Sequence, residues 1–326
     1  MRQKSSKSEV LSLLLKRNEE YLSGQQIGDA LGLSRTAVWK AVNSLKEDGL
    51  HIESSTRLGY RLLEPNRAMT QELVEKWVHE PCELHVVNKT GSTNDDVKAA
   101  DLGARPLVIC ANQQTKGRGR MGRPFISPAG TGIYISFGIR PRFDISQSLF
   151  VTMAAAVAMC RAIKTAAGVT CGIKWVNDLF LNGKKICGIL TEGETSLETG
   201  SIDKLVIGIG VNCFPGSIPE DLEGIAGTIS ESCGEFSRAR LAAEITNKML
   251  SILDQVEDRS FLDEYREHCF ILGKQVFVHP TLKKEGWAAD ALDVTEDGGL
   301  LVRYLEGPKK GRTEAIHTGE LSIRPL

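Results

Sequence analysis

The chemistry of this 326-residue chain concentrates in one stretch, Gln114-Thr-Lys116-Gly117-Arg118-Gly119-Arg120-Met-Gly122-Arg123-Pro124-Phe125. Residues 116–123 hold four cations and three glycines, just after the apolar run Leu107–Ala111. Guanidinium forks and the backbone N–H groups that glycine leaves accessible suit a phosphate-bearing anion. Gly117, Gly119 and Gly122 fit the G-x-G-x-x-G expression, but that fingerprint must open a helix. Pro124 and Pro128 follow instead, which excludes a dinucleotide fold. A flexible basic loop is expected, able to wrap a small anion or, as arginine–glycine segments do, RNA. Further along stand Lys174-Trp175-Val176-Asn177-Asp178, Lys184-Lys185-Ile-Cys-Gly188 and Gly208-Ile-Gly210-Val-Asn212. On residue type alone, Lys185 is either a solvated hairpin lysine or a cation for a reacting anion, and Asp178 either a turn cap or a base. Gly188 and Gly210 are either strand bulges or points of close approach.

These groups need a frame. From Leu84 to about Phe270, β-branched runs at Leu107–Ala111, Ile133–Phe137, Leu179–Leu181, Ile186–Leu190 and Leu205–Val211 alternate with helical patterns at Gln147–Ala167 and Arg238–Val256. That is a mixed α/β unit with a sizeable sheet. Ahead of it, Ser23-Gly-Gln-Gln26 is a capping box, Gly32 stops the helix it opens, and Ser34 caps another with Val38, Ala41, Val42 and Leu45 on one face. A first helix over residues 9–17 and a hairpin around Ser54–Gly59 complete a winged helix-turn-helix. Residues 1–64 hold ten Lys/Arg and eight Asp/Glu, a slight basic excess. Ser34, Arg35, Thr36, Trp39 and Lys40, with Arg57 on the wing, are the candidates for DNA contact; a small protein-contact module is the alternative. From Gly273 short strands at Gln275–Val278, Gly286–Leu292, Gly299–Arg303 and Glu320–Ile323 flank the turn Glu296–Gly299 and predict a small β-barrel. The expected division is 1–65, 66–271 and 272–326, with the first boundary at Leu63-Glu-Pro65-Asn66.

Composition supports a globular chain: 41% hydrophobic, 25% charged and a net charge of −1 exclude collagen-like, disordered and disulfide-stapled classes. None of the eight cysteines stands in a C-x-x-C or zinc spacing, so reduced thiols and no protein-held metal are expected. The basic N-terminus, from Met1 to Lys7, leads into no secretory core, and the apolar run Leu149–Cys160 is short of the roughly 20 residues that span a bilayer. A soluble cytoplasmic protein is expected.

The basic loop, Lys174–Asp178, Lys184–Leu190 and Gly208–Asn212, in this order and with Gly91-Ser92-Thr93-Asn94 ahead of them, resemble the biotin protein ligases. With the N-terminal winged helix the chain is similar to the bifunctional bacterial form that also represses the biotin operon. The resemblance spans almost the whole chain and implies an α+β multidomain protein: winged helix-turn-helix, central mixed α/β catalytic domain, SH3-like β-barrel. It implies that ATP and biotin give biotinyl-5'-AMP and pyrophosphate, that biotin passes to a lysine of a carboxyl carrier domain, and that the adenylate is corepressor at operator DNA, with a liganded homodimer as the DNA-binding form. Lys185, Arg118, Arg120 and Asp178 take the catalytic positions. Ser92, Thr93, Asn94, Gln114, Arg118, Gly119, Arg120, Lys185 and Gly188 take the biotin positions; Arg120, Arg123, Phe125, Lys185 and Asn212 take those of ATP, and Mg²⁺ accompanies the triphosphate. Phe125 stands where the family has Trp, and Val176 where it has Pro. A non-catalytic biotin-sensing repressor and a lipoate-type ligase are the competing readings. Lys185, Arg118 and Arg120 argue against the first, and the Gly-Arg-Gly-Arg loop against the second.

Overall fold

The computed structural model describes residues 5–17, 20–64, 67–141, 147–195, 202–216, 218–279, 286–317 and 320–322. Pro65 and Asn66, at the expected first boundary, and the basic residues 1–4 lie outside them.

Three helices, α1 (Ser6–Lys16), α2 (Gly24–Leu31) and α3 (Arg35–Glu47), precede the hairpin β1 (Ile52–Ser55) and β2 (Gly59–Leu62). Local chemistry sets the helix ends. Ser23 and Gln26 exchange both bonds of the capping box, at 3.1 and 2.8 Å, and Gly32 ends α2 at φ 67°. The Ser34 hydroxyl accepts from Ala37 N at 3.2 Å to start α3. Val10, Leu11, Leu14, Ile27, Val38, Val42 and Leu45 fall at helical spacing and are buried together.

The central unit runs α4 (Gln71–Glu75), β3 (Glu83–Val87), α5 (Thr93–Ala99), β4 (Leu107–Ala111), β5 (Gly132–Ile139), α6 (Ser148–Ala167), β6 (Gly172–Lys174), β7 (Asp178–Leu181), β8 (Lys184–Thr195), β9 (Ile202–Asn212), α7 (Ser230–Cys233), α8 (Arg238–Ile252) and α9 (Leu262–His268). Its seven strands lie in the order β3-β4-β5-β9-β8-β7-β6. Only β3 and β4 are parallel; each other neighbour is antiparallel. The sheet has two unlike faces, because side chains alternate along each strand. Ile133, Ile135, Leu205, Ile207, Ile209 and Val211 join the main core with α6 and α8. On the opposite face Val97 of α5 meets Ile109 and Val206 in a smaller cluster. α6 matches the helical pattern expected at Gln147–Ala167 to within one residue and extends beyond the apolar run Leu149–Cys160 inside it. At 20 residues it is long and apolar enough to cross a membrane, yet 67% of its apolar window is buried within the fold, as in a core helix.

The third unit is an antiparallel sheet of β10 (Gln275–His279), β11 (Trp287–Val294), β12 (Leu300–Tyr304), β13 (Thr313–Ile316) and β14 (Glu320–Ser322), ordered β13-β12-β11-β10-β14, as in a small SH3-like barrel. The expected last strand stops at Ser322; Ile323 lies outside the described residues. The β11–β12 turn closes with Thr295 N donating to Gly299 O at 2.8 Å. It abuts the central unit, where Trp175 Nε1 donates to Gly298 O at 3.1 Å and Arg266 Nε to Val294 O at 2.9 Å.

Candidate active site

The alternation that builds the core also builds a cleft on the other sheet face. Leu205, Ile207, Ile209 and Val211 of β9 point to the core, so Gly208, Gly210 and Asn212 point away. The register sets Gly188 opposite Gly210 and Leu190 opposite Gly208 on β8, and Ser136 opposite Gly208 on β5. Gly188, Leu190, Gly208, Gly210 and Asn212 floor a cleft of about 780 Å³, within the ordinary range for a small-molecule site. The glycines are there for space. A Cβ at 208 would lie 2.1 Å from Asn94 Oδ1, and one at 210 would lie 2.5 Å from the Phe125 ring. Gly188 faces Lys185, whose Cε and Nζ are 3.4 Å from where its Cβ would stand.

One wall is the start of α5. Ser92 caps it, accepting from Asp95 N at 3.5 Å. Thr93 N and Oγ1 both reach Gln114 Oε1, at 2.8 and 3.0 Å, and Gln114 Nε2 donates to Ser127 Oγ at 3.1 Å. Asn94 Nδ2 donates to Glu192 Oε2 at 2.7 Å. The expected ureido-ring residues Ser92, Thr93, Asn94 and Gln114 thus share one wall.

The basic loop crosses this wall, folded on itself and pinned at two points. Gly119 N donates to Arg123 O at 2.7 Å, and Phe125 N to Gly117 O at 2.9 Å, which folds the loop on itself. Arg118 grips Asp95 through both terminal nitrogens, at 3.0 and 2.5 Å. Arg120 Nη1 donates to Asn177 Oδ1 at 3.0 Å. Two guanidinium groups tied to protein oxygens hold this loop without an anion. Phe125 lies against Gly210, edge-on to Tyr134 with centroids 6.3 Å apart. Burial pushes the Tyr134 phenol up to about 12, and it donates to Pro128 O at 2.9 Å. Gly119 and Arg123 line the same cleft.

Across the cleft, Lys185 Nζ and the Asp178 carboxylate form an ion pair at 2.6 Å. Both are partly buried, on adjacent strands β7 and β8, and they face the arginine loop. Lys185 is therefore no solvated hairpin lysine. Lys174 Nζ stands 5.8 Å from the Phe180 ring centroid and also borders the cleft. Trp175 is buried and also borders the cleft, and Tyr265 Oη donates to Val176 O behind it at 3.2 Å. The Trp175–Val176 peptide is cis. The remaining edge is residues 218–226, where Leu222 and exposed Ile225 border the opening and Lys185 N donates to Ile225 O at 2.9 Å.

Outside the cleft lining, Arg35, Thr36, Lys40 and Arg57 are exposed on the winged helix, and Trp39 is 54% exposed. Arg35 Nε donates to Gln25 Oε1 at 2.9 Å, which braces it across the turn. Ser34 uses its oxygen as helix cap.

Several functional contacts escaped the sequence: Asp95 under Arg118, Asn177 under Arg120, Glu192 and Ser136 around Asn94, and the 218–226 edge. Asp95 had a signal, being next to Ser92-Thr-Asn94. Glu192 had one in period: it is two and four residues past Leu190 and Gly188, hence on their face. The 218–226 segment had only a misleading one: Ile218, Leu222, Ile225 and Ala226 stand at helical spacing, but Pro219 and Gly224 interrupt them and only Glu220–Leu222 forms a single 3-10 turn.

The described chain resembles known proteins in two regions. A model of the biotin/lipoate A/B protein ligase family matches residues 85–212, and an HTH domain model matches residues 7–61. The bifunctional ligase/repressor BirA of Bacillus subtilis is 32% identical, over 96% of this chain and 98% of that protein. BirA of Escherichia coli is 27% identical over 75% of this chain and 76% of its own. Among solved structures, the biotin protein ligase of Aquifex aeolicus in complex with biotin and ATP superposes with a TM-score of 0.62 at 26% identity, covering 75% of this chain and 99% of that one.

Proposed function

Because the chain belongs to the biotin protein ligases, in the bifunctional form that joins the ligase to a repressor, we propose that it carries out both halves of that activity from the cleft and the winged helix described above. As a ligase it joins biotin to ATP as biotinyl-5'-AMP and then transfers biotin to a carrier-domain lysine. As a repressor it binds DNA through the winged helix in response to biotin. One observation supports the site assignment above the rest: Lys185, Arg118, Arg120 and the Ser92–Asn94 wall line a single cleft.

The first step brings a carboxylate up to an α-phosphate, two anions that repel. Lys185 bridges them, and Arg118 and Arg120 stabilise the charge gathering on the phosphate as pyrophosphate leaves. Arg123 holds the triphosphate, and Phe125 and Asn212 the adenine. Thr93 and Gln114 meet the ureido ring. In the second step the carrier lysine amine attacks the acyl carbon and AMP leaves; Asp178 orients that lysine and takes its proton, since an ammonium has no lone pair with which to attack. Mg²⁺ would supply the counter-charge of the triphosphate. The unit division is 1–65, 66–271 and 272–326, and the cytoplasm is the compartment.

The deciding experiment incubates the full chain with labelled biotin, ATP and a biotin carboxyl carrier domain. Label on the carrier lysine is expected, and lipoate should not compete. Adenylate without transfer, or label from lipoate alone, sinks the reading.

Repression requires that the ends of the chain communicate. A winged helix of slight net charge binds DNA weakly alone, because phosphate contacts dominate affinity. Two copies in a homodimer would meet a twofold operator. We expect biotin plus ATP to tighten operator binding more than biotin alone in a gel shift at fixed salt. Arg35→Ala should weaken the shifted complex about tenfold, as the loss of one base or phosphate contact does, and leave carrier labelling intact. Equal operator affinity with and without the adenylate would mean that the domains are merely fused.

A further inference from the structure

Asn94 is held more completely than a ligand contact needs. Its Nδ2 donates to Glu192 Oε2 at 2.7 Å, and Glu192 Oε1 accepts from Lys98 Nζ at 2.7 Å. Its Oδ1 lies 2.6 Å from Ser136 Oγ, which lies 2.6 Å from Thr93 Oγ1, which in turn lies 3.0 Å from Gln114 Oε1. Ser136 is fully buried, and Thr93 and Asn94 nearly so. Burial alone would raise the Glu192 carboxyl, but the bonds from Lys98 and Asn94 and the charges of Lys98 and Arg118 outweigh it and hold the group below its ordinary range. Glu192 is an ionised, accept-only terminus.

Proton counting follows. A carboxylate can only accept, so Asn94 must turn its amide N–H to Glu192 and its carbonyl to Ser136. Ser136 then gives its one proton to Asn94 Oδ1. The 2.6 Å contact between Ser136 and Thr93 still needs a hydrogen, and only Thr93 has one left. Once Thr93 donates inward, Thr93 Oγ1 and Gln114 Oε1, which already accepts from Thr93 N at 2.8 Å, face each other 3.0 Å apart with spare lone pairs at the cleft wall. Facing lone pairs repel, so this end of the relay is stabilised by a donor from the ligand, or from water when the cleft is free.

We propose that Glu192 is a specificity-determining positioning residue: through the Asn94–Ser136–Thr93 relay it fixes the Thr93–Gln114 edge of the cleft as hydrogen-bond acceptors, selecting a ring N–H over a ring oxygen. The inference rests on the reading that the cleft takes biotin, whose ureido ring carries two N–H donors. Glu192 touches no ligand; it acts by the direction of the hydrogen bonds between. A glutamine at 192 could present its own N–H, turn Asn94 over, and let the Thr93 proton point into the cleft.

The test measures affinities by calorimetry without ATP, so chemistry does not enter. The ligands are biotin and its two cyclic carbamate analogues, each with one ring N–H replaced by oxygen. The full-length parent should prefer biotin strongly over at least one analogue, as sites built around a donor do. In Glu192→Gln that preference should narrow about tenfold, one hydrogen bond's worth. Ser136→Ala, which cuts the relay but keeps Glu192, should narrow it likewise and covers the case in which Glu192→Gln does not fold. Lys98→Met, which loosens the α5–β8 tie but keeps the acceptor, should leave the ratio unchanged. A merely structural Glu192 would weaken all three ligands alike. A parental ratio in either folded relay variant, equal narrowing in Lys98→Met, or a parent that accepts both analogues overturns the proposal. A parent that binds no biotin refutes the reading of the cleft instead.

Discussion

Lys185→Ala enzyme is expected to form biotinyl-adenylate about 100-fold more slowly than the parent, or worse. A preorganised charge at a developing anion contributes on the order of 3 kcal/mol to the barrier, which is roughly that factor in rate. The structure adds a second cost. Lys185 is paired with Asp178 at 2.6 Å, so removing it leaves a carboxylate facing two incoming anions in a partly buried cleft. Truncating one partner of such a pair costs more than the pair is worth. A double variant, Lys185→Ala with Asp178→Asn, should therefore regain part of the lost adenylation rate. Pyrophosphate release in a single turnover reads this directly, with the melting temperature as a check on folding. A parental rate in the single variant would remove Lys185 from the reacting centre.

Asp178→Asn should divide the two half-reactions. Transfer to the carrier lysine is expected to fall about 100-fold, the low end of what a general base contributes. Adenylation should survive, and the ATP KM should fall rather than rise. In the parent, incoming anions must draw Lys185 away from Asp178; with asparagine there the lysine charge is already available. Pyrophosphate release and carrier labelling, followed separately, give the split. Equal losses in both would make Asp178 a structural partner of Lys185 and nothing more.

Much of this molecule could be read before its coordinates, and the reason differs by region. The winged helix was legible because its signals are local: the Ser23–Gln26 capping box, Gly32 at φ 67° and the Ser34 cap each act within four residues. The long strands were legible by their β-branched runs, although β8 continues to Thr195, past the apolar run, because its edge toward Glu192 is polar. β3, β6 and α5 were not: β4 is as short as β3 but apolar throughout, whereas charged and polar residues break up β3 and α5, and β6 has only three residues. At the site, the residue types that do the chemistry were visible, whereas their partners were not. Asp95 and Arg118 are 23 positions apart, Arg120 and Asn177 57 apart, Asn94 and Glu192 98 apart. Pairings at such separations are created by the sheet register. The contacts that pin the basic loop were hidden for the same reason, since its charges meet a carboxylate and an amide brought from elsewhere.

The glycine floor has a consequence for inhibition. Resistance to a small-molecule inhibitor commonly arises when a side chain that it leans on is trimmed or reshaped. At positions 208 and 210 there is nothing to trim, and any replacement adds a Cβ that strikes Asn94 or Phe125 at 2.1 and 2.5 Å. A compound that lies flat on that backbone presses on a surface the cell cannot redraw without displacing the same two residues that we assign to its own substrates.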